Sequence, residues 1–285
     1  MKLILGSAQF GFDYGINNIL GKPNVNQVFE ILDYAFSQNI RVIDTADAYG
    51  DSIKIIGEYH HSRKNNKFHI NSKFTILNNG FTDDIDKTLL DLNISNFDSY
   101  FFHSFDDYLN NQNIINKLVN LKLKKKIHKI GLSLYDNNQF NQAINDPNID
   151  VIQLPYNLLD NHLQRGKLIS YAKSKNKEIQ VRSIFLQGLF FKNLDSLPIR
   201  LEKLKPYLQK LLDLSIFYSI PMEHLALQYS LSDKNIDNVI IGVDSLMQLK
   251  RNILFYDVKI KNELLNAINE INVIETDMLL PYNWN

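Results

Sequence analysis

The chain of 285 residues contains no cysteine. Disulfides, thiol nucleophiles and thiolate metal sites are therefore excluded, and the composition suits a reducing compartment such as the cytoplasm. A charge imbalance is also missing. The 31 basic residues meet 31 acidic ones, so no overall field draws the protein to nucleic acid or to an anionic membrane. No apolar run approaches the roughly 20 residues that span a bilayer. The opening Met1-Lys2-Leu3-Ile4-Leu5-Gly6 turns polar too soon for a signal peptide. Dense histidine–carboxylate clusters are lacking, and the adjacent His60 and His61 cannot share a helix face, so no metal site is expected. No linker rich in Pro, Gly or Ser divides the chain, which reads as a single domain over residues 1–285.

What is present is a regular alternation. Hydrophobic residues make up 45% of the sequence, enough for a sizeable core. Short β-rich segments are expected at 2–8, 41–45, 69–74, 99–103, 127–133, 151–154, 178–184 and 237–241. Amphipathic helices are expected at 26–38, 52–60, 82–91, 112–125, 137–145, 162–176, 199–218, 222–231, 246–254 and 261–271. In 26–38, for example, Val28, Ile31, Leu32, Ala35 and Phe36 recur at helical spacing. Eight strand–helix units imply a parallel sheet, and several strands are near-continuous apolar runs, as burial on both faces requires. Eight units in about 285 residues favour the closed (β/α)8 TIM barrel, an α/β fold, over an open doubly wound sheet.

In such a barrel the chemistry sits where strands end. The second strand ends in Asp44-Thr45-Ala46-Asp47-Ala48-Tyr49-Gly50, the third in Ser72-Lys73-Phe74, the fourth in Phe102-His103-Ser104. A phenol with a pKa near 10 works at neutral pH only beside a cation. Lys73 can be that cation, Asp44 can keep Lys73 charged, and His103 can orient a substrate oxygen. Singly, each has an ordinary alternative: a helix cap, a half-buried tyrosine, a surface lysine, a core histidine. Their shared strand-end location favours an active site. The set holds no electron source, so a redox reaction needs a cofactor.

Asp-Thr-Ala-x-x-Tyr-Gly, followed by lysine after strand three and histidine after strand four, resembles the tetrad of the aldo-keto reductase superfamily, with Asp44, Tyr49, Lys73 and His103 as its members. Leu5 to Gly11, Ile130 to Ser133, Ile152 to Asn157 and Val239 to Ser245 with Gln248 and Asn252 resemble other parts of the family, so the likeness covers nearly the whole chain. It implies reduction of an aldehyde or ketone, a sugar derivative among the candidates, by NADPH, with NADH as the alternative. It also implies cofactor contacts at Gly6, Ser7, Ser133, Gln153, Arg182, Gly188, Gly242, Val243, Gln248 and Asn252, with Ser133 and Gln153 on the carboxamide. Three departures stand out. Leu134 replaces a frequent asparagine, Arg182 stands where an aromatic ring often stacks on nicotinamide, and Gly242-Val243-Asp244 lacks a lysine used for NADPH. The choice of dinucleotide stays open on this reading. A cofactor-binding barrel serving as a redox-sensing partner subunit is the alternative function, and a lyase or isomerase without nicotinamide is a third. Arg165 is expected to be a solvated residue at a helix start, the 156–160 stretch structural, 122–126 a solvated helix end, and Gly11, Gly15 and Gly21 loop residues.

Overall fold

Eight parallel strands pair in sequence order and close on themselves in the computed structural model, which describes residues 1–76 and 85–284. They are β1 (Leu3–Gly6), β2 (Val42–Asp44), β3 (His69–Phe74), β4 (Phe97–Phe102), β5 (Ile127–Ser133), β6 (Val151–Pro155), β7 (Glu178–Arg182) and β8 (Asn238–Gly242). The ring closes where β1 meets β8, with Leu3 opposite Val239 and Gly6 opposite Gly242. Helices cover the outside of the ring, so β1 is buried along its length. Among the described residues no helix is long and apolar enough to cross a membrane.

The helices begin where the sequence offers caps. Asn24 and Asp136 each accept from the backbone three residues on, and Gln27 and Gln139 return the bond, which starts Val25–Ser37 and Asn137–Asn145. Such boxes satisfy backbone N–H groups that a helix leaves unpaired. The barrel interior holds polar side chains as well as rings: Asn71, Gln153 and Gln180 are buried there. Gly131 has no side chain because the Phe101 ring fills its place; a Cβ would lie 2.2 Å from that ring.

Several boundaries differ from expectation. β1 stops at Gly6 and a helical turn, Ala8–Gly11, begins at once. β7 stops at Arg182 because Ser183 takes a left-handed φ of 59°. The expected 112–125 helix is Asn113–Leu123, preceded by a separate short helix, Phe105–Asn110. The expected 199–218 helix is a 3-10 segment, Ile199–Leu204, followed by Lys205–Tyr218 with Pro206 in its first turn, where proline costs no hydrogen bond. Of the expected 82–91 helix, Ile85–Asp91 is present, and 82–84 lies outside the described residues.

Candidate active site

The C-terminal ends of the strands open into a cavity of about 690 Å³, within the range of small-molecule sites. Asp44 ends β2, Tyr49 lies in the loop after it, Lys73 is on β3 and His103 follows β4. All four line the cavity. Lys73 Nζ donates to Asp44 Oδ1, to the Thr45 carbonyl at 3.3 Å and to the Tyr49 phenol oxygen at 3.4 Å. The second carboxylate oxygen of Asp44 accepts from Gln153 Nε2 at 2.8 Å. The Tyr49 ring meets His103 edge-on, with centroids 5.8 Å apart.

This arrangement sets the protonation states. Burial pulls Lys73 down, but the Asp44 charge and the hydrogen bonds to Asp44 and Tyr49 more than offset it and hold the ammonium above its usual range. His103 is pushed down to about 3, first by burial, then by the Lys73 and Arg182 charges. Its imidazole is therefore neutral at ordinary pH and carries a single proton. Nδ1 is buried without a partner among the described residues.

Tyr49 is placed by two glycines. A Cβ on Gly11 would lie 1.8 Å from the Tyr49 carbonyl oxygen, and one on Gly50 would lie 2.6 Å from the Gly11 carbonyl oxygen. Gly50 also has a left-handed φ of 49°. The β1 and β2 loops touch backbone to backbone, an approach only glycine permits. The only local signal for Gly11 is its place at the end of the Leu5 to Gly11 stretch; the contact with Tyr49 itself is not visible in the sequence.

Of the residues expected to hold a cofactor, Gly6, Ser7, Ser133, Arg182, Gly188, Gly242, Gln248 and Asn252 line the cavity. Ser7 is internally engaged: its hydroxyl donates to the Asp44 carbonyl at 2.9 Å and accepts from Ser52 at 2.7 Å. Two expected contacts sit behind the wall. Gln153 is fully buried and its amide is directed at Asp44. Val243 packs in the hydrophobic core, because its neighbours Gly242 and Asp244 face the cavity and the extended chain alternates. Arg165 is not solvated either. It is 6% exposed and forks onto Asp160 at 2.6 and 2.7 Å, with further bonds to Asn137 and the Tyr135 carbonyl.

Other lining residues had no signal of their own. Tyr14 and Tyr135 come from two separate loops and Tyr282 from the 3-10 segment Pro281–Trp284, and Gln187 donates to the Tyr14 hydroxyl at 3.1 Å. Tyr135 directly follows the Ser133-Leu134 pair, which could have marked it. The loop after β7 carries left-handed φ at Ser183, Leu186, Gln187 and Gly188, the kind of strain that gathers at functional sites. At the β8 end, Arg251 is paired with Glu223 at 2.8 Å. Asp244 is bonded by Gln248 at 3.2 Å while its other oxygen is buried without a partner among the described residues, and burial raises its pKa.

No curated protein matches the sequence. Among solved structures, the aldo-keto reductase AKR11C1 from Bacillus halodurans, in its holo form, is similar with a TM-score of 0.74 at 20% identity, over 95% of this chain and 92% of that one. MGS-M4, an aldo-keto reductase from a Medee basin deep-sea metagenome library, is similar with a TM-score of 0.69 at 17% identity, over 95% and 91%. At these identities the likeness is one of fold. The aldo/keto reductase family model matches residues 2–273, nearly the whole length, and the chain therefore belongs to the aldo/keto reductase family.

Proposed function

We propose that the protein reduces an aldehyde or ketone to an alcohol with NAD(P)H bound along this cavity, and that Tyr49 supplies the proton. The observation that carries the reading is the Lys73 ammonium held between Asp44 and the Tyr49 phenol oxygen, with a neutral His103 beside the same ring.

The residues present fit a dinucleotide. The cavity is lined by Tyr49, Gly188, Gly242, Gln248 and Asn252 alike, and a Cβ on Gly242 would lie 2.3 Å from Gln9 Nε2, so the wall there has no room for a side chain. Ser133 would bond the carboxamide, and Gly188 and Gly242 would let the backbone approach the phosphates. The bound dinucleotide would supply a hydride to the carbonyl carbon.

The protein's own groups do the rest. His103, neutral, donates a hydrogen bond to the carbonyl oxygen and fixes its position. It is too weak a base to be present as imidazolium, so the proton comes from Tyr49. As the phenol releases it, Lys73 stabilises the oxygen left behind across 3.4 Å, and Asp44 keeps Lys73 charged. Gln153 holds Asp44 in that pose.

Tyr49→Phe removes the proton and leaves the ring. It should keep cofactor affinity, read by fluorescence titration, while turnover falls about 10²- to 10⁴-fold. A variant within about threefold of wild type, roughly 0.65 kcal/mol in barrier, would sink the assignment.

A further inference from the structure

Of the lysine and arginine side chains that line the cavity, all but Arg182 are ion-paired among the described residues, while the Asp244 carboxylate at the β8 end is bonded only by Gln248. Lys73 is matched by Asp44 and Arg251 by Glu223. Asp160, the carboxylate whose charge couples to Arg182, has both oxygens taken by the Arg165 fork. Arg182 itself forms no ion pair among the described residues. Of its five N–H donors, one reaches the Leu134 carbonyl at 3.1 Å and one the Ser183 hydroxyl at 3.4 Å. Nε is buried without a partner among the described residues.

The guanidinium is nevertheless held in place. It lies over the Tyr135 ring at 4.3 Å, and the Tyr282 ring meets Tyr135 edge-on at 4.8 Å. Tyr135 is fixed in turn by the Arg165 bond to its carbonyl. Arg182, Tyr135 and Tyr282 all line the cavity, and the Arg182 charge is felt at His103. A preorganised, unmatched fork beside the group that orients the carbonyl is a receptor for a planar or tetrahedral oxyanion.

We propose that Arg182 selects carbonyl substrates that carry an oxyanion, a carboxylate or a phosphate, on the same molecule. This rests on the reading of the cavity as a site of carbonyl reduction. The oxyanion would take the free edge of the guanidinium while the carbonyl oxygen meets His103 and Tyr49.

Three small aldehydes test it: butanal, succinic semialdehyde and glyceraldehyde 3-phosphate. Wild type should favour at least one anionic aldehyde over butanal in kcat/KM by about tenfold or more, the worth of one charged hydrogen bond. Which of the two wins tells carboxylate from phosphate. Arg182→Met should erase that preference, and Arg182→Lys, with charge but no fork, should keep part of it. A wild type without the preference, or an Arg182→Met protein that retains it, overturns the proposal. An equal loss on all three aldehydes, matched by weakened cofactor binding, also overturns it, because Arg182 would then hold the cofactor. If no aldehyde is reduced, carbonyl reduction is what fails. Calorimetry with succinate and inorganic phosphate then decides on Arg182: saturable binding weakened about tenfold or more in Arg182→Met supports the receptor, and no binding to wild type overturns it. Should Arg182→Met not fold, the wild-type preference and Arg182→Lys carry the test.

Discussion

His103 shows how much one side chain's surroundings decide. Free imidazole titrates near 6.5, but here the value is about 3. Between those pH values the unfolded chain binds a proton that the folded chain does not. The folded state therefore loses stability as pH falls from about 6.5 toward 3, and the penalty is absent above that window. His103→Gln removes the group, so its melting temperature should decline less between pH 7 and 4. The difference is a few kcal/mol at most, given about 1.4 kcal/mol per pKa unit. Parallel curves for the two proteins would show that His103 titrates normally. Asp244 makes a second case. Glu223 and Asp244 outnumber Arg251 at the β8 end of the cavity, which opposes a 2′-phosphate. NADH should bind more tightly than NADPH by about tenfold, roughly 1.4 kcal/mol, and Asp244→Ser should narrow the gap. Tighter NADPH binding to wild type would mean that the carboxylate turns away. The sequence alone favoured NADPH slightly, because the pairing of Arg251 with Glu223, distant along the chain, shows only in the fold.

Asp44, Tyr49, Lys73 and His103 were readable because strand ends are local signals and a barrel gathers them at one rim. The contact that positions Tyr49 was not readable, since Gly11 and the Tyr49 carbonyl meet only after β1 and β2 have paired. Gly11→Ala inserts a methyl group into that contact. It should displace the loop and lower kcat by at least about tenfold, equivalent to about 1.4 kcal/mol in barrier, although no reacting group is touched. Wild-type kcat in a folded Gly11→Ala protein would remove this role. The Arg165 expectation went wrong for a similar reason. An arginine at the start of His162–Ser174 looks solvent-facing by position, and only the fold shows Asp160 and the Tyr135 carbonyl waiting for it. Arg165→Met leaves the Asp160 carboxylate buried and unpaired, which should cost about 3–5 kcal/mol. Denaturant unfolding reads this directly, and a loss under about 1 kcal/mol, the scale of surface pairs, would contradict it.

At the scale of the whole molecule, the alternation of strands and helices already specified the barrel, because each unit packs on its neighbours by the same rule. The far wall of the cavity was less legible. Tyr14 and Tyr135 sit in connections with no periodicity, and Tyr282 lies in a short 3-10 segment beyond Ile271, where the sequence offers no helical period to place it. The closure of the ring has a consequence in time. Gly6 ends β1 and Ser7 follows it, whereas Gly242 ends β8 and Asp244 lies just beyond, yet both sets line one cavity. The two halves of the proposed dinucleotide cradle are made at opposite ends of synthesis. A growing chain can collapse around its early strands, but contacts of such separation form late. The cradle first exists when β8 clears the ribosome and pairs with β1. Until then, free dinucleotide has nothing complete to bind and cannot pull the nascent chain toward its fold, so its stabilising effect begins only with the finished ring.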